Sequence, residues 1–150
     1  MKLLRGVMAA LGLATLPALA GADPAITDQA AAKQVLGRHA LTLQWLGDGT
    51  LRTAGTATVA AQDGTWRLSG RQEAKEGILV LDGEVVAIDR TSFTFQGKVT
   101  TRALGNNNDQ DCAREGRYVF LRRPGKRYWR MQPILNPCDP VADYIDIYLR

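Results

Sequence analysis

The 150-residue sequence predicts a mostly β protein: an antiparallel barrel or sandwich of about eight strands with a short N-terminal helix and one disulfide. Three observations carry this prediction. Beyond Gly37, apolar residues recur at every second position, the period of a half-buried strand. Glycine-bearing pairs such as Asp63-Gly64, Asp82-Gly83 and Pro124-Gly125 punctuate the chain at hairpin intervals. The cysteines number two, Cys112 and Cys138, in a chain whose start is built for export, where paired thiols oxidise.

The export reading comes from residues 1–20. Lys2 and Arg5 give a positive start, residues 6–16 an apolar run, and Ala18-Leu19-Ala20 a small-residue end. That run is much shorter than the ~20 residues a membrane-spanning helix needs, so no transmembrane segment is expected. Gly21 and Ala22 stand where a lipid-bearing cysteine would follow the leader. The expected product is soluble, periplasmic or secreted, with residues 21–37 forming a lead-in and helix and residues 38–150 a single β domain. Two of the 19 basic residues fall in the leader, leaving 17 against 15 acids. Such a balance gives no reason to expect a nucleic-acid partner.

Taken in order, Thr27 is placed to cap a helix over residues 28–36 that Gly37 closes, after a flexible segment at 21–26. Leu41, Leu43 and Trp45 then share one strand face, and Gly47-Asp48-Gly49 is expected to turn the chain so that Trp45 faces Leu51. About Asp63-Gly64 the register sets Ala61 against Trp66, Val59 against Leu68 and Ala57 against Gly70 on the core side. Thr58 with Ser69 and Ala60 with Arg67 are left outside. Asp82-Gly83 marks a further hairpin, pairing Val80 with Val85 and Ile78 with Ala87. Phe93, Phe95 and Val99 alternate with polar residues in the next strand. Around Pro124-Gly125, Phe120 is set opposite Trp129 and Tyr118 opposite Met131, and the same register brings Cys112 within one position of Cys138. A disulfide there would stabilise by roughly 3–4 kcal/mol on the chain-entropy model. Ile145, Ile147 and Leu149 alternate in a terminal strand. Closure of so many short strands into a barrel would remove exposed edges.

The C-terminal stretch carries a resemblance. Tyr128-Trp129-Arg130-Met131-Gln132, Asn136-Pro137-Cys138-Asp139 and Asp143-Tyr144-Ile145-Asp146-Ile147-Tyr148 resemble the shared ending of a group of small exported bacterial proteins of unassigned function. The likeness runs from about Leu36 onward. It implies export and a Cys112–Cys138 bridge, and it implies no activity.

No catalytic or cofactor motif stands out, and the chain is expected to be neither an enzyme nor a cofactor or metal protein. G-x-S-x-G, phosphate loops and H-E-x-x-H are missing, and both cysteines are committed to the bridge. His39, the one histidine, has the parity of Leu41 but reads as a strand-start residue near solvent. Glu73 with Glu76, or Asp143 with Asp146, offer carboxylate pairs of the kind a glycosidase uses, but read more simply as solvated charges. Asn107, Asp109 and Asp111 alternate like calcium ligands, without the glycine and terminal glutamate of an EF-hand loop. Gly55, Ala57, Ala61 and Gly70 make part of the inner face small, leaving room for an apolar ligand or for Trp45 and Trp66. Arg122, Arg123, Lys126, Arg127 and Arg130 crowd one hairpin as a solvated basic cluster. The strongest candidate is a surface. Tyr128 and Arg130 share one strand face, and Tyr144, Asp146 and Tyr148 share another. If the strands are neighbours, a tyrosine patch with an Arg/Asp pair results, suited to a protein or cell-envelope partner. The alternative for these residues is packing under the helix or an internal salt bridge.

Overall fold

The computed structural model describes residues 21–105 and 107–150. The expected leader, residues 1–20, lies outside the described residues. Strands β1 (Ala25–Ile26), β2 (Gly37–Leu43), β3 (Gly55–Gln62), β4 (Thr65–Ala74), β5 (Gly77–Ile88), β6 (Ser92–Ala103), β7 (Cys112–Leu121), β8 (Tyr128–Gln132) and β9 (Ile145–Tyr148) accompany one helix, α1 (Gln29–Val35). Strands β2 to β9 pair with their sequence neighbours, and β9 pairs back onto β2, so eight antiparallel strands close a ring. The barrel, not the sandwich, is therefore the architecture, and it leaves no free edge between its first and last strands. β1 adds a two-residue parallel pairing on β5, with the Thr27 N–H donating to Ile88 O at 3.0 Å. Residues 25–26 are thus pinned rather than part of a loose lead-in.

The helix begins one residue later than expected. Asp28, not Thr27, is its cap, accepting from the Ala31 N–H at 2.8 Å. Ala31, Ala32 and Val35 are buried in the core cluster, closing one end of the barrel. The opposite end, the mouth, is made by the connections 44–54, 75–76, 104–111 and 133–144.

The inner face is filled. Phe93, Phe95, Phe120, Leu41, Leu43, Leu68, Leu79, Leu81, Met131 and Ile145 are fully buried. Phe93 stacks on Phe120 with centroids 4.8 Å apart, and Trp129 meets Phe93 edge-on at 5.5 Å. This packing leaves the hollow-barrel reading without support. Ala61, expected inside, is exposed near the tip of its hairpin, whereas the space at Gly70 is filled by other side chains than expected: a Cβ there would stand 2.9 Å from Leu41 Cδ2 and 3.3 Å from Leu81.

The Asp63-Gly64 hairpin has the expected register, Ala61 opposite Trp66 and Val59 opposite Leu68. Three other expectations are corrected. Asp82-Gly83 is no turn: β5 runs straight through it, and the reversal falls at residues 75–76, where Ala74 pairs with Gly77. Val80 consequently faces Arg71 and Thr100 rather than Val85. Gly83 is there because β5 and β6 approach closely, Gly83 opposite Gly97, and the Phe95 ring occupies the space a side chain on either would need. Gly47-Asp48-Gly49 does not make a tight hairpin. The Asp48 carboxylate accepts from the Thr50 N–H and from both the Thr50 and Thr53 hydroxyls, winding a broader loop, and Leu51 is exposed instead of facing Trp45. The β7–β8 register is two residues from the expected one, with Phe120 opposite Met131 and Leu121 opposite Arg130. A shift of two keeps every side chain on its face, so Tyr118, Phe120, Trp129 and Met131 all remain inside. Cys112 and Cys138 are bonded, with Cα atoms 5.9 Å apart.

Candidate functional site

β8 and β9 are direct neighbours, Tyr128 opposite Tyr148 and Arg130 opposite Asp146. Alternation sends Trp129, Ile145 and Ile147 inward, so these four residues and Tyr144 share the outer face. The condition set by the sequence is met, and all five candidate residues come together. Arg130 forks onto Asp146 through Nε and Nη2, both contacts 2.7 Å. Its guanidinium carbon lies 5.1 Å from the centre of the Tyr128 ring and 4.4 Å from that of Tyr144. Tyr148 packs on Tyr128 with centroids 5.3 Å apart. The paired Asp146 carboxylate raises Arg130 still further above its ordinary range, overriding its partial burial. Arg130 therefore acts as a fixed cation that spaces two tyrosines, and Asp146 carries the counter-charge beneath it.

Beside this clamp runs a groove of ≈380 Å³, bounded by Tyr128, Tyr144, Gln132, Arg123 and Lys126. Arg123 and Lys126 are exposed on the turn that joins β7 to β8. Of the two alternatives for this surface, the internal salt bridge forms. The helix does not cover the patch: its apolar face is committed to the core, and Tyr144 stays 36% exposed.

The other candidates fall into separate structural roles. Asp143, in the connection that leads into β9, and Asp146, within β9, bind different arginines, so they do not form a carboxylate pair. Glu73 pairs with Arg71 at 2.8 Å, whereas Glu76 accepts the Gly47 N–H at 3.2 Å. Asp109 caps the Gly105 N–H and Asp111 pairs with Arg102 at 3.2 Å, so the alternating loop acids are spent on the chain itself. His39 is not near solvent but 3% exposed, because its parity carries it inward. Its Nδ1 is 2.9 Å from Tyr148 O and its Nε2 2.9 Å from Val35 O, tying β9 and the helix to β2. A neutral ring donates to one of these carbonyls and a doubly protonated ring to both.

One cluster escaped the sequence reading. At the mouth, Arg114 meets Asp143 at 2.6 Å with side chains 9% and 0% exposed. Asp143 also accepts from the Trp45 indole N–H and the Asn136 amide, both at 3.0 Å, and Arg114 donates to Leu135 O. Alternation contained the signal: Arg114 shares parity with Cys112 and Tyr118, and Asp143 with Ile145, so both charges point inward.

The described residues thus define a small closed antiparallel barrel, plugged at one end by a helix, stapled at the other by a disulfide, and carrying a tyrosine–arginine clamp on its outer wall. Residues 23–149 match the PM1083 family, and the chain belongs to it. An uncharacterized protein, PM1083, of Pasteurella multocida (strain Pm70) is 33% identical over 115 residues, covering 77% of this chain and 73% of that protein. No solved structure matches. Among the described residues, no helix is long and apolar enough to cross a membrane.

Proposed function

We propose that this protein is a non-catalytic binding module of the cell envelope or the secreted space, and that it engages the acidic surface of a protein partner through the β8–β9 groove. The observation that carries this reading is the clamp. Tyr128 and Tyr144 are held apart by a cation that is already neutralised by Asp146, while Arg123 and Lys126 stand exposed at the groove edge. Rigid tyrosines lose little conformational freedom on contact, and unneutralised cations at a rim attract and orient an acidic partner.

The test must spare Arg130, because its removal would strand the nearly buried Asp146. A triple variant, Tyr144→Ala, Arg123→Glu and Lys126→Glu, changes only groove residues that are at least partly exposed. Immobilised wild-type protein is expected to retain a defined partner from a cell-envelope extract, in a salt-sensitive manner, and the triple variant to lose it while melting at the same temperature. Equal retention by the folded variant would reject the groove as the contact surface.

A further inference from the structure

A second recess, apart from the β8–β9 groove, lies above the barrel axis rather than along it. This hollow of ≈360 Å³ opens at the mouth, between the loops that follow β2, β4, β6 and β8. Trp45, Ala103, Leu104, Val141 and Ala142 supply apolar wall, and the ring of Trp45 is oriented by its indole bond to Asp143. Exposed apolar side chains gather at the same end: Leu51 is 56% exposed, Leu104 62% and Leu135 72%. Each sits on a different mouth loop, and Leu104 lines the hollow itself.

The charged side chains in the wall are Glu76 and Asp139, from two different loops and both acidic. Among the described residues no basic side chain lines it. Glu76 is steered by the Gly47 N–H, and its nearest cation, Lys75, is 4.0 Å away on a side chain 91% exposed, too solvated to neutralise it. Among the described residues no group of three metal-ligating side chains occurs, so a bare metal ion lacks its ligands. The volume lies within the ~300–1,000 Å³ usual for small-molecule sites. An occupant must therefore be cationic, partly apolar and small. An indole in the wall adds its attraction for a cation to that of the carboxylates.

We propose that the mouth hollow is a binding site for a small organic ammonium ion with a short aliphatic body, its head directed to Glu76 and Asp139 and its chain to Trp45, Ala103 and Val141. This site is separate from the β8–β9 groove and does not depend on it.

Three six-carbon probes of equal length test the assignment: hexylammonium, 1-hexanol and hexanoate, each titrated into ¹⁵N-labelled protein. Hexylammonium is expected to shift the Trp45 indole cross-peak and the amides of Ala103 and Val141 saturably. Hexanol should bind at least tenfold more weakly, and hexanoate should leave these signals unmoved. The Glu76→Gln/Asp139→Asn double variant, with an otherwise native spectrum, should lose at least tenfold in hexylammonium affinity. Should the double variant not fold, the hexanol comparison on the wild type alone decides. Absence of a saturable shift, equal binding of hexanol, or an unchanged affinity in a folded double variant would each overturn the proposal.

Discussion

Three glycines, on β5, β4 and β7, give a graded test of the barrel. At Gly83 an added Cβ would overlap the backbone oxygen of Gln96 and stand 2.6 Å from both Gly97 Cα and the Phe95 ring. Backbone cannot swing aside as a side chain can, so Gly83→Ala must part β5 from β6. Losing two or so ladder hydrogen bonds at ~1 kcal/mol each, with ~1–3 kcal/mol of overpacking, predicts a cost of about 3–5 kcal/mol. At Gly70 the obstruction is the tip of Leu41, 2.9 Å away, which can rotate, and Gly70→Ala should cost about 1–2 kcal/mol. At Gly116 the nearest atom is the Tyr118 hydroxyl at 3.9 Å. Here alanine meets no obstacle and restricts the unfolded chain, so stability should rise by about 0.4–1 kcal/mol. Urea unfolding followed by tryptophan emission would read these differences. With a slope of ~2 kcal/mol per molar, the Gly83 variant should unfold roughly 2 M earlier than wild type. If Gly83→Ala and Gly116→Ala share one midpoint, β5 is not continuous through Gly83 and the close β5–β6 approach is wrong.

Further outcomes follow from the same structure. Replacing Cys112 and Cys138 by Ser releases a loop closed across 26 residues, which should cost about 3.5 kcal/mol, seen as a lower denaturation midpoint that reductant no longer changes. Arg114→Leu strands the buried Asp143 and should cost ~3–5 kcal/mol, and adding Asp143→Leu should recover much of it, a non-additivity measurable by a double-mutant cycle. Burial alone would raise the Asp89 carboxyl, but the bonds donated by Thr91 and Ser92 hold it below its ordinary 3.8. A depressed folded value means that Asp89 stabilises above about pH 4 and loses that contribution as the pH falls, so Asp89→Asn should flatten the acid limb of the stability curve in thermal melts.

The sequence and the structure agree where physics is local. Asp63-Gly64 forces a two-residue turn, so its register followed from counting outward. The Tyr128/Arg130 and Tyr144/Asp146/Tyr148 faces were legible because alternation fixes sides whatever the pairing; the pairing that joined them needed the whole ring. Asp82-Gly83 misled because one dipeptide serves two purposes, and whether its glycine turns a chain or admits a neighbouring strand depends on Phe95 and Gly97, residues distant in sequence. His39 and the Arg114–Asp143 pair sit on inward parity, but polarity argued for solvent. Their burial rests on partners that only folding brings within reach: the Val35 and Tyr148 carbonyls for His39, and for Asp143 the Arg114 charge with the Trp45 and Asn136 N–H donors.

The seam of the ring joins Leu41, Thr42 and Leu43 to Ile147, Asp146 and Ile145, residues more than a hundred positions apart. A chain made from its amino end therefore carries an open ribbon with two bare edges until residues 145–147 arrive. Removing β9 should do more than shorten the protein: β2 and β8 would both be left able to recruit strands from other molecules, and the expected result is self-association.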